Sequence, residues 1–345
     1  MDFAILIRSH AKLATAMQKY ISQRFLRSHP SDRVILGLLA LAVVVNAGRL
    51  PAGGEGLWEL LAVHVALLLG FGACVVAMLR WEQARWVRWL RPTATVLVVF
   101  SLYTSLGKLG VAAMPYLADG ALSRFDTWAL GFNPAFALEP FQTPGRVEFF
   151  SFIYGAFIPF INLSLILGCL SRPSGERDQF LTGWVLTYAI SYLGYLFVPA
   201  HGPVVYHAAD YGAALTGGMF YEIVVRGNEL SGGLQGVFPS LHVGGSVYLC
   251  LFDLKTNRLR GLSYLPIVLL IYGATLILRY HYVVDLAVGT VLALSCVPLG
   301  RRVVVNWMRR RQAAGLPALL GSEGDALPSI LATGSPGSAP VLSTD

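Results

Sequence analysis

The stretch LWELLAVHVALLLGFGACVVAM, residues 57–78, is an almost uninterrupted apolar run. It continues for about 20 residues with little charge, and a helix of that length crosses the hydrocarbon core of a bilayer. Runs of similar character recur along the chain. The sixth run is short and polar at its start, so its assignment depends on its neighbours. The predicted spanning helices are Val34–Leu50, Leu57–Met78, Thr93–Met114, Phe149–Leu170, Phe180–Pro199, Gly236–Leu251, Gly261–Leu278 and Tyr282–Leu299.

The composition of the whole chain supports this interpretation. Of its 345 residues, 13% are charged and 55% are hydrophobic, and the mean hydropathy is +0.60. A soluble domain has about 25% charged residues. These values exclude a soluble dinucleotide-binding enzyme, a secreted disulfide scaffold and a disordered chain. The sequence therefore predicts an all-α fold, a polytopic membrane helix bundle of about eight transmembrane helices.

The distribution of basic residues predicts the orientation of the helices. The net charge is +7, and arginines concentrate in every second connection between apolar runs. Basic loops stay in the cytoplasm, so both termini are expected there. Membrane topology explains the charge better than nucleic-acid binding does, and no nucleic-acid partner is predicted. The alternate face carries two long segments, Pro115–Gln142 and Ala200–Gln235, which we call the cap.

These patterns divide the chain into four parts. Residues 1–33 form a basic cytoplasmic arm, and residues 34–92 hold two extra N-terminal transmembrane helices. A six-helix core follows over residues 93–299. Residues 300–345 form a basic and then disordered cytoplasmic tail, because Gly, Ala, Ser and Pro dominate its end without a periodic apolar face.

Two motifs carry the ionisable residues that lie at helix ends. Phe238-Pro239-Ser240-Leu241-His242 opens the sixth helix, and Arg279-Tyr280-His281-Tyr282-Val283-Val284-Asp285 crosses the turn from the seventh to the eighth. The predicted topology brings both motifs to the non-cytoplasmic face. Ionisable residues in membrane helices are candidates for function by default. The sequence thus predicts one site at this face.

The residue types in this site suit phosphoryl transfer. His281 and Asp285 are four residues apart and would share a helix face. Asp285 would then orient the imidazole of His281 as a nucleophile, while His242 acts as general acid and base. A helix N-terminus and Arg279 would bind phosphate oxygens. A metal site of His242, His281 and Asp285 is an alternative, but no HExxH-like pair supports it, and we predict neither metal nor cofactor.

The combination of PSxH with HxxxD resembles the type 2 phosphatidic acid phosphatase superfamily, a six-helix membrane fold with a phosphohistidine mechanism. The resemblance covers roughly residues 93–299. Within it, Phe238–His242 and His281–Asp285 look most like the inositol phosphorylceramide synthase branch. Arg124-Phe125-Asp126 and Pro199-Ala200-His201-Gly202-Pro203 are also similar to segments of this branch.

The resemblance implies a role for each matching residue. His281 would take the phosphoryl group, Asp285 would orient it, His242 would protonate the leaving group and Ser240 would help to hold phosphate. The chain departs from the pattern in its basic residues, because Val204 and Thr275 stand where arginine is usual. The residues that could meet the phosphate charge instead are Arg279, Lys108, Arg226 and His201.

The expected function is that of an integral membrane enzyme acting on a lipid phosphate or phospholipid at the non-cytoplasmic face. An inositolphosphotransferase-like enzyme would pass the phosphoryl group or phospho-headgroup to an alcohol acceptor. A lipid phosphatase of the phosphatidic acid or polyprenyl phosphate type would pass it to water. The third alternative is a non-catalytic transporter or scaffold on the same fold.

Overall fold

The computed structural model describes residues 26–53, 56–82, 84–231 and 233–316. Most of the predicted basic arm and most of the predicted tail lie outside these ranges. The described residues form helices and connecting turns, without strands. The helices are α1 (Pro30–Arg49), α2 (Leu57–Arg80), α3 (Val87–Ala113), α4 (Asp119–Leu130), α5 (Pro134–Ala137), α6 (Pro144–Leu170), α7 (Ser174–Phe197), α8 (Pro203–Tyr206), α9 (Met219–Leu230), α10 (Leu241–Thr256), α11 (Arg258–Ile277) and α12 (Val283–Ala313).

Helices α1, α2, α3, α6, α7, α11 and α12 are long and apolar enough to cross a bilayer. They are the seven such helices among the described residues, and they make the chain a multi-pass membrane protein. The predicted class, an all-α membrane bundle, is confirmed. Helix α7 packs against most of the other long helices, and its large aromatic side chains Trp184, Tyr192 and Tyr195 are buried.

The sixth predicted span, Gly236–Leu251, differs from the structure. Helix α10 begins at Leu241 and has 16 residues, which corresponds to about 24 Å and is shorter than the hydrocarbon core. Residues Leu241–Cys250 are all buried, because α7, α11 and α12 surround this helix. Protein neighbours rather than lipid therefore cover its polar start, and a full-length apolar run is not needed.

Glycines allow α10 and α12 to approach closely at their N-terminal ends. A Cβ on Gly289 would lie 2.7 Å from the carbonyl oxygen of Ser240 and 3.3 Å from the backbone nitrogen of Gly244. The backbone N–H of Ser240 also donates to the carbonyl of Asp285 at 3.1 Å. These contacts hold the two predicted motifs beside each other.

Ion pairs join the turns at the opposite end of the bundle. The carboxylate of Asp253 accepts hydrogen bonds from Arg260, with Nε at 2.7 Å, and from Arg172. Arg91 Nε lies 3.2 Å from Asp32 Oδ2. These contacts link α1 to α3, and α10 to α11 and to the turn that precedes α7. The arginine-bearing turns that the sequence assigned to a single face therefore meet at one end.

The cap lies at the other end, with α4, α5, α8 and α9 as its helices. Helix α9 runs along α6, where the rings of Phe220 and Phe152 are 5.0 Å apart. The carboxylate of Glu148 in α6 accepts from the N–H groups of Gly218, Phe220 and Tyr221 at 2.7, 2.9 and 3.1 Å. A side chain of α6 thereby caps the first turn of α9.

Candidate active site

His281 and Asp285 form the buried centre of the site. Nδ1 of His281 lies 3.3 Å from Oδ2 of Asp285, and the same oxygen accepts from the N–H of Tyr282 at 2.9 Å. Asp285 has no exposed surface. An ionised carboxylate can only accept, so this contact selects the tautomer with the proton on Nδ1. Nε2 of His281 then keeps its lone pair.

This contact does not arise from a shared helix face, so the reason predicted for it is wrong. Helix α12 begins at Val283, and Tyr282 is its N-cap. His281 precedes the helix, and the carbonyl of Thr275 accepts from its backbone N–H at 3.3 Å. The carboxylate of Asp285 reaches back across the first turn to meet the imidazole.

His242 lies across from His281 in the first turn of α10. The two ring centroids are 5.8 Å apart. The imidazole of His242 stacks on Tyr154 at 4.3 Å and contacts Phe157 at 4.4 Å, so two rings of α6 fix its orientation. Both histidines are buried, with 7% and 5% of their surface exposed. A reacting group between the rings would be shielded from most water.

Ser240 is the N-cap of α10, and its Oγ accepts from the N–H of Val243 at 3.4 Å. Pro239 precedes this cap and lies outside the helix. Helices α10 and α12 both begin at the site. Each directs its positive dipole end there, which favours an anion.

Two carboxylates of α4 organise the site, and the sequence argument assigned them no role. Asp126 accepts from the N–H groups of Val283 and Val284 at 2.6 and 2.8 Å, which caps α12. Burial raises the pKa of Asp126, and these two N–H donors act against that rise. The only signal in the sequence was Arg124-Phe125-Asp126, which the resemblance singled out without a function.

Asp119 is the second of these carboxylates. It accepts from the N–H of Gly202 at 2.8 Å and from the hydroxyl of Tyr282 at 3.0 Å. The N–H of His201 also donates to it, at 3.0 Å. One buried carboxylate thus joins α4, the segment that follows α7, and the N-cap of α12. His201 itself uses Nδ1 in a contact with the carbonyl of Leu234 at 2.8 Å.

Arg279 contacts the cap. Its Nη1 donates to the carbonyl of Ala213 at 3.1 Å and its Nε to Oε1 of Gln142 at 2.8 Å. Its guanidinium lies 3.5 Å from the ring centroid of Tyr211. Burial raises the pKa of Tyr211 to about 12, although Arg279 acts in the opposite direction, so this phenol is neutral. Arg279 also has a left-handed backbone, with φ 60°.

The other two predicted phosphate ligands lie on α3 and α9. Lys108 is half-buried in α3, and Arg226 is exposed on α9. Neither forms an ion pair with the described carboxylates. The structure therefore brings His242, His281, Asp285 and Ser240 together and gives Arg279 to the cap.

A second histidine–carboxylate contact lies within the cap. Nδ1 of His207 is 3.0 Å from Oδ2 of Asp210, and its Nε2 is 2.9 Å from Oγ of Ser123. The rings of Phe136 and Tyr206 lie 4.9 and 4.7 Å from that of His207. This packed array joins the residues after α8 to α4.

Comparison with known proteins identifies the relatives of this chain. The model of the PAP2 superfamily matches residues 120–299, more than half of the chain, and the match includes both motifs. The PA-phosphatase related-family protein of Dictyostelium discoideum is 32% identical over 126 residues. Those residues are 35% of this chain and 23% of that protein, so the chain spans less than a quarter of its relative. No solved structure matches significantly.

Proposed function

We propose that this chain, which belongs to the PAP2 superfamily, is a membrane enzyme that transfers a phosphoryl-containing group from a lipid through His281. The observation that carries the proposal is the buried contact of His281 with Asp285, facing His242 across 5.8 Å. A nucleophile, its orienting carboxylate and a general acid thereby occupy one protected space.

The first step forms a bond from Nε2 of His281 to phosphorus and breaks the bond to the leaving oxygen. His242 donates its proton to that oxygen, which leaves as an alcohol. In the second step, His242 takes the proton of the acceptor hydroxyl. The acceptor oxygen bonds to phosphorus, the bond to His281 breaks, and both histidines return to their starting states.

The negative charge of the phosphate is met mainly by the backbone. The first turn of α10 supplies N–H groups, α10 and α12 both supply positive dipole ends, and the hydroxyl of Ser240 lies at the same point. We propose that Lys108 and Arg226 attract the anionic substrate as it approaches the site. Arg279 contributes charge to the entrance while its hydrogen bonds hold the cap.

The residues of the two motifs are most similar to the inositol phosphorylceramide synthase branch. This resemblance favours an alcohol as the acceptor. The name of the Dictyostelium relative favours hydrolysis instead, because it refers to a phosphatase of phosphatidic acid. The two activities differ only in whether the phosphohistidine meets an alcohol or water. We propose the transferase as the first function and the lipid phosphatase as the second, both acting at the non-cytoplasmic face.

Product analysis tests the proposal. Purified protein would be given a panel of lipid phosphates and phospholipids, with and without candidate alcohols, and the products separated. His281→Ala should lower turnover roughly 10⁴-fold or more, as expected when a covalent nucleophile is removed. It should also abolish acid-labile phosphate trapped on the protein. His242→Ala should cost about 10²–10⁴-fold, and least with good leaving groups.

His64 provides a matched control, because it is a buried histidine of α2 remote from the two motifs. His64→Ala should leave turnover within a few-fold of the natural chain. Full activity of His281→Ala would refute the phosphohistidine mechanism. A lack of turnover on every lipid, with folded protein, would favour the transporter or scaffold. Hydrolysis alone with every alcohol would select the phosphatase.

A further inference from the structure

A basic cavity lies at the end of the bundle opposite His281. It has a volume of ≈ 50 Å³ and is bounded by four separate segments: the residues before α1, the turn from α2 to α3, the start of α7 and the end of α12. Five arginines line it. They are Arg27, Arg85, Arg88, Arg91 and Arg177.

The carboxylates beside this cavity already have cationic partners. Glu82 pairs with Arg311, and Asp178 lies 3.8 Å from Arg177 and 3.6 Å from His29. Arg91 is paired with Asp32 in α1. Within the described ranges, no ion pair involves Arg27, Arg85 or Arg88. All three side chains are exposed. The cavity therefore has a surplus of positive charge that can act on a ligand.

The position of the cavity matches a membrane interface. Helix α12 begins beside the phosphoryl-transfer site and contributes Trp307 to the cavity, and 22 residues of helix separate Asp285 from Trp307. That distance is about 33 Å, close to the thickness of a hydrocarbon core. Trp81, Trp86 and Trp89 flank the arginines and are 54%, 43% and 56% exposed. Tryptophan is typical of the headgroup level.

The backbone around the cavity also favours an anion. The first turn of α3, at Val87 and Arg88, is part of its wall, and so are Arg177 and Asp178 near the start of α7. Both helices direct their positive dipole ends towards it. Arginine side chains bind phosphate oxygens through paired N–H donors, and basic pockets between transmembrane helices hold phospholipid headgroups.

We propose that this cavity binds the phosphate of an anionic phospholipid from the adjoining leaflet. The bound headgroup would join the turn between α2 and α3 to α7 and to the residues before α1. Those residues are already attached to α12, because Nε1 of Trp307 donates to the carbonyl of Leu26 at 2.8 Å. The site is separate from the phosphoryl-transfer site and does not depend on its chemistry.

Membrane orientation alone offers a simpler account of the arginines, since basic turns orient helices wherever their charges lie. The two accounts differ in whether lipid binding depends on the position of the arginines at the cavity. Lys255 and Arg258 are exposed basic residues in another turn at the same end, and they do not line the cavity. They provide a control with the same number of charges.

The test is lipid retention by the full chain, measured by native mass spectrometry after release from detergent. Phosphatidylglycerol and phosphatidylcholine would be added at equal concentrations. We expect preferential retention of phosphatidylglycerol, and a loss of about tenfold in its affinity in R85Q/R88Q. K255Q/R258Q should bind it like the natural chain. Equal retention of the two lipids, or equal losses in the two double variants, would overturn the proposal.

Three further measurements keep the result interpretable. R85K/R88K keeps the charge, so a folded variant should retain part of the phosphatidylglycerol. A folded variant that retains no phosphatidylglycerol would count against a phosphate site. Competition by inorganic phosphate distinguishes the source of the ligand. Displacement of lipid at millimolar phosphate supports recognition of the phosphate group alone, whereas no displacement supports recognition of the membrane-bound lipid. His281→Ala should retain the lipid fully, which separates this test from the proposed enzymatic function.

Discussion

The carboxylate of Asp285 has two functions at the scale of single atoms, because Oδ2 contacts both the imidazole of His281 and the N–H of Tyr282. Asp285→Asn keeps an acceptor for the helix cap but no longer fixes the proton on Nδ1. We expect turnover to fall roughly 10²–10⁴-fold with little change in melting temperature. Lipid turnover and thermal unfolding in detergent would measure both effects.

Asp210→Asn is the matched control for that substitution. Asp210 contacts Nδ1 of His207 at 3.0 Å in the cap, with the same pair of groups but outside the two motifs. Its loss should change turnover by less than about tenfold. Similar losses in the two variants would indicate that the carboxylates serve folding rather than the nucleophile.

Asp126 acts on the site through α12 rather than on the substrate. Asp126→Ala would leave the half-buried N–H groups of Val283 and Val284 without their acceptor, at a cost of about 0.5–1.5 kcal/mol for each lost hydrogen bond. Thermal unfolding should shift downward and turnover should fall with it. Arg124→Ala, an exposed change in the same helix, should alter neither. Unchanged stability of Asp126→Ala would exclude this role as a cap.

At the scale of helices and turns, Arg279 connects the motif that contains His281 to the cap. Arg279→Ala should release Gln142, Ala213 and Tyr211 and let water reach the site. If the protein is a transferase, the ratio of hydrolysis to transfer should rise several-fold. Arg279→Lys separates the two roles of this residue. Restored substrate affinity with a raised ratio would indicate that charge serves the phosphate and the planar fork holds the cap.

The helices also show which features a sequence can predict. Successive spanning helices cross the membrane in opposite directions. The order of the apolar runs therefore predicts that His242 and His281 lie at the same end of the bundle. The length of α10 could not be predicted, since burial by α7, α11 and α12 is a property of the assembled bundle. The contact of Asp126 with Val283 joins residues 157 positions apart. No local sequence pattern predicts such a contact. Nor does one predict whether Arg279 binds the phosphate or contacts the cap.

At the scale of the whole molecule, α12 connects the two ends of the bundle. Its first turn holds Asp285, and its last turns hold Trp307 and Arg311, which contact the residues before α1. The ion pairs of the arginine-bearing turns belong to the same end as Trp307. Residues of the cap and of those turns must therefore face opposite sides of the membrane if the long helices span it.

Single cysteines test this arrangement and its orientation. In a background lacking Cys74, Cys169, Cys250 and Cys296, Trp128→Cys would report on the cap and Leu259→Cys on the opposite end. These two residues are 79% and 81% exposed, so differences in labelling reflect the side of the membrane rather than burial. Because basic turns remain in the cytoplasm, an impermeant thiol reagent should label position 128 in intact cells and position 259 only after permeabilisation. The reverse pattern would move the site to the cytoplasmic face while keeping the bundle, and labelling of both positions in intact cells would contradict a closed membrane-spanning arrangement.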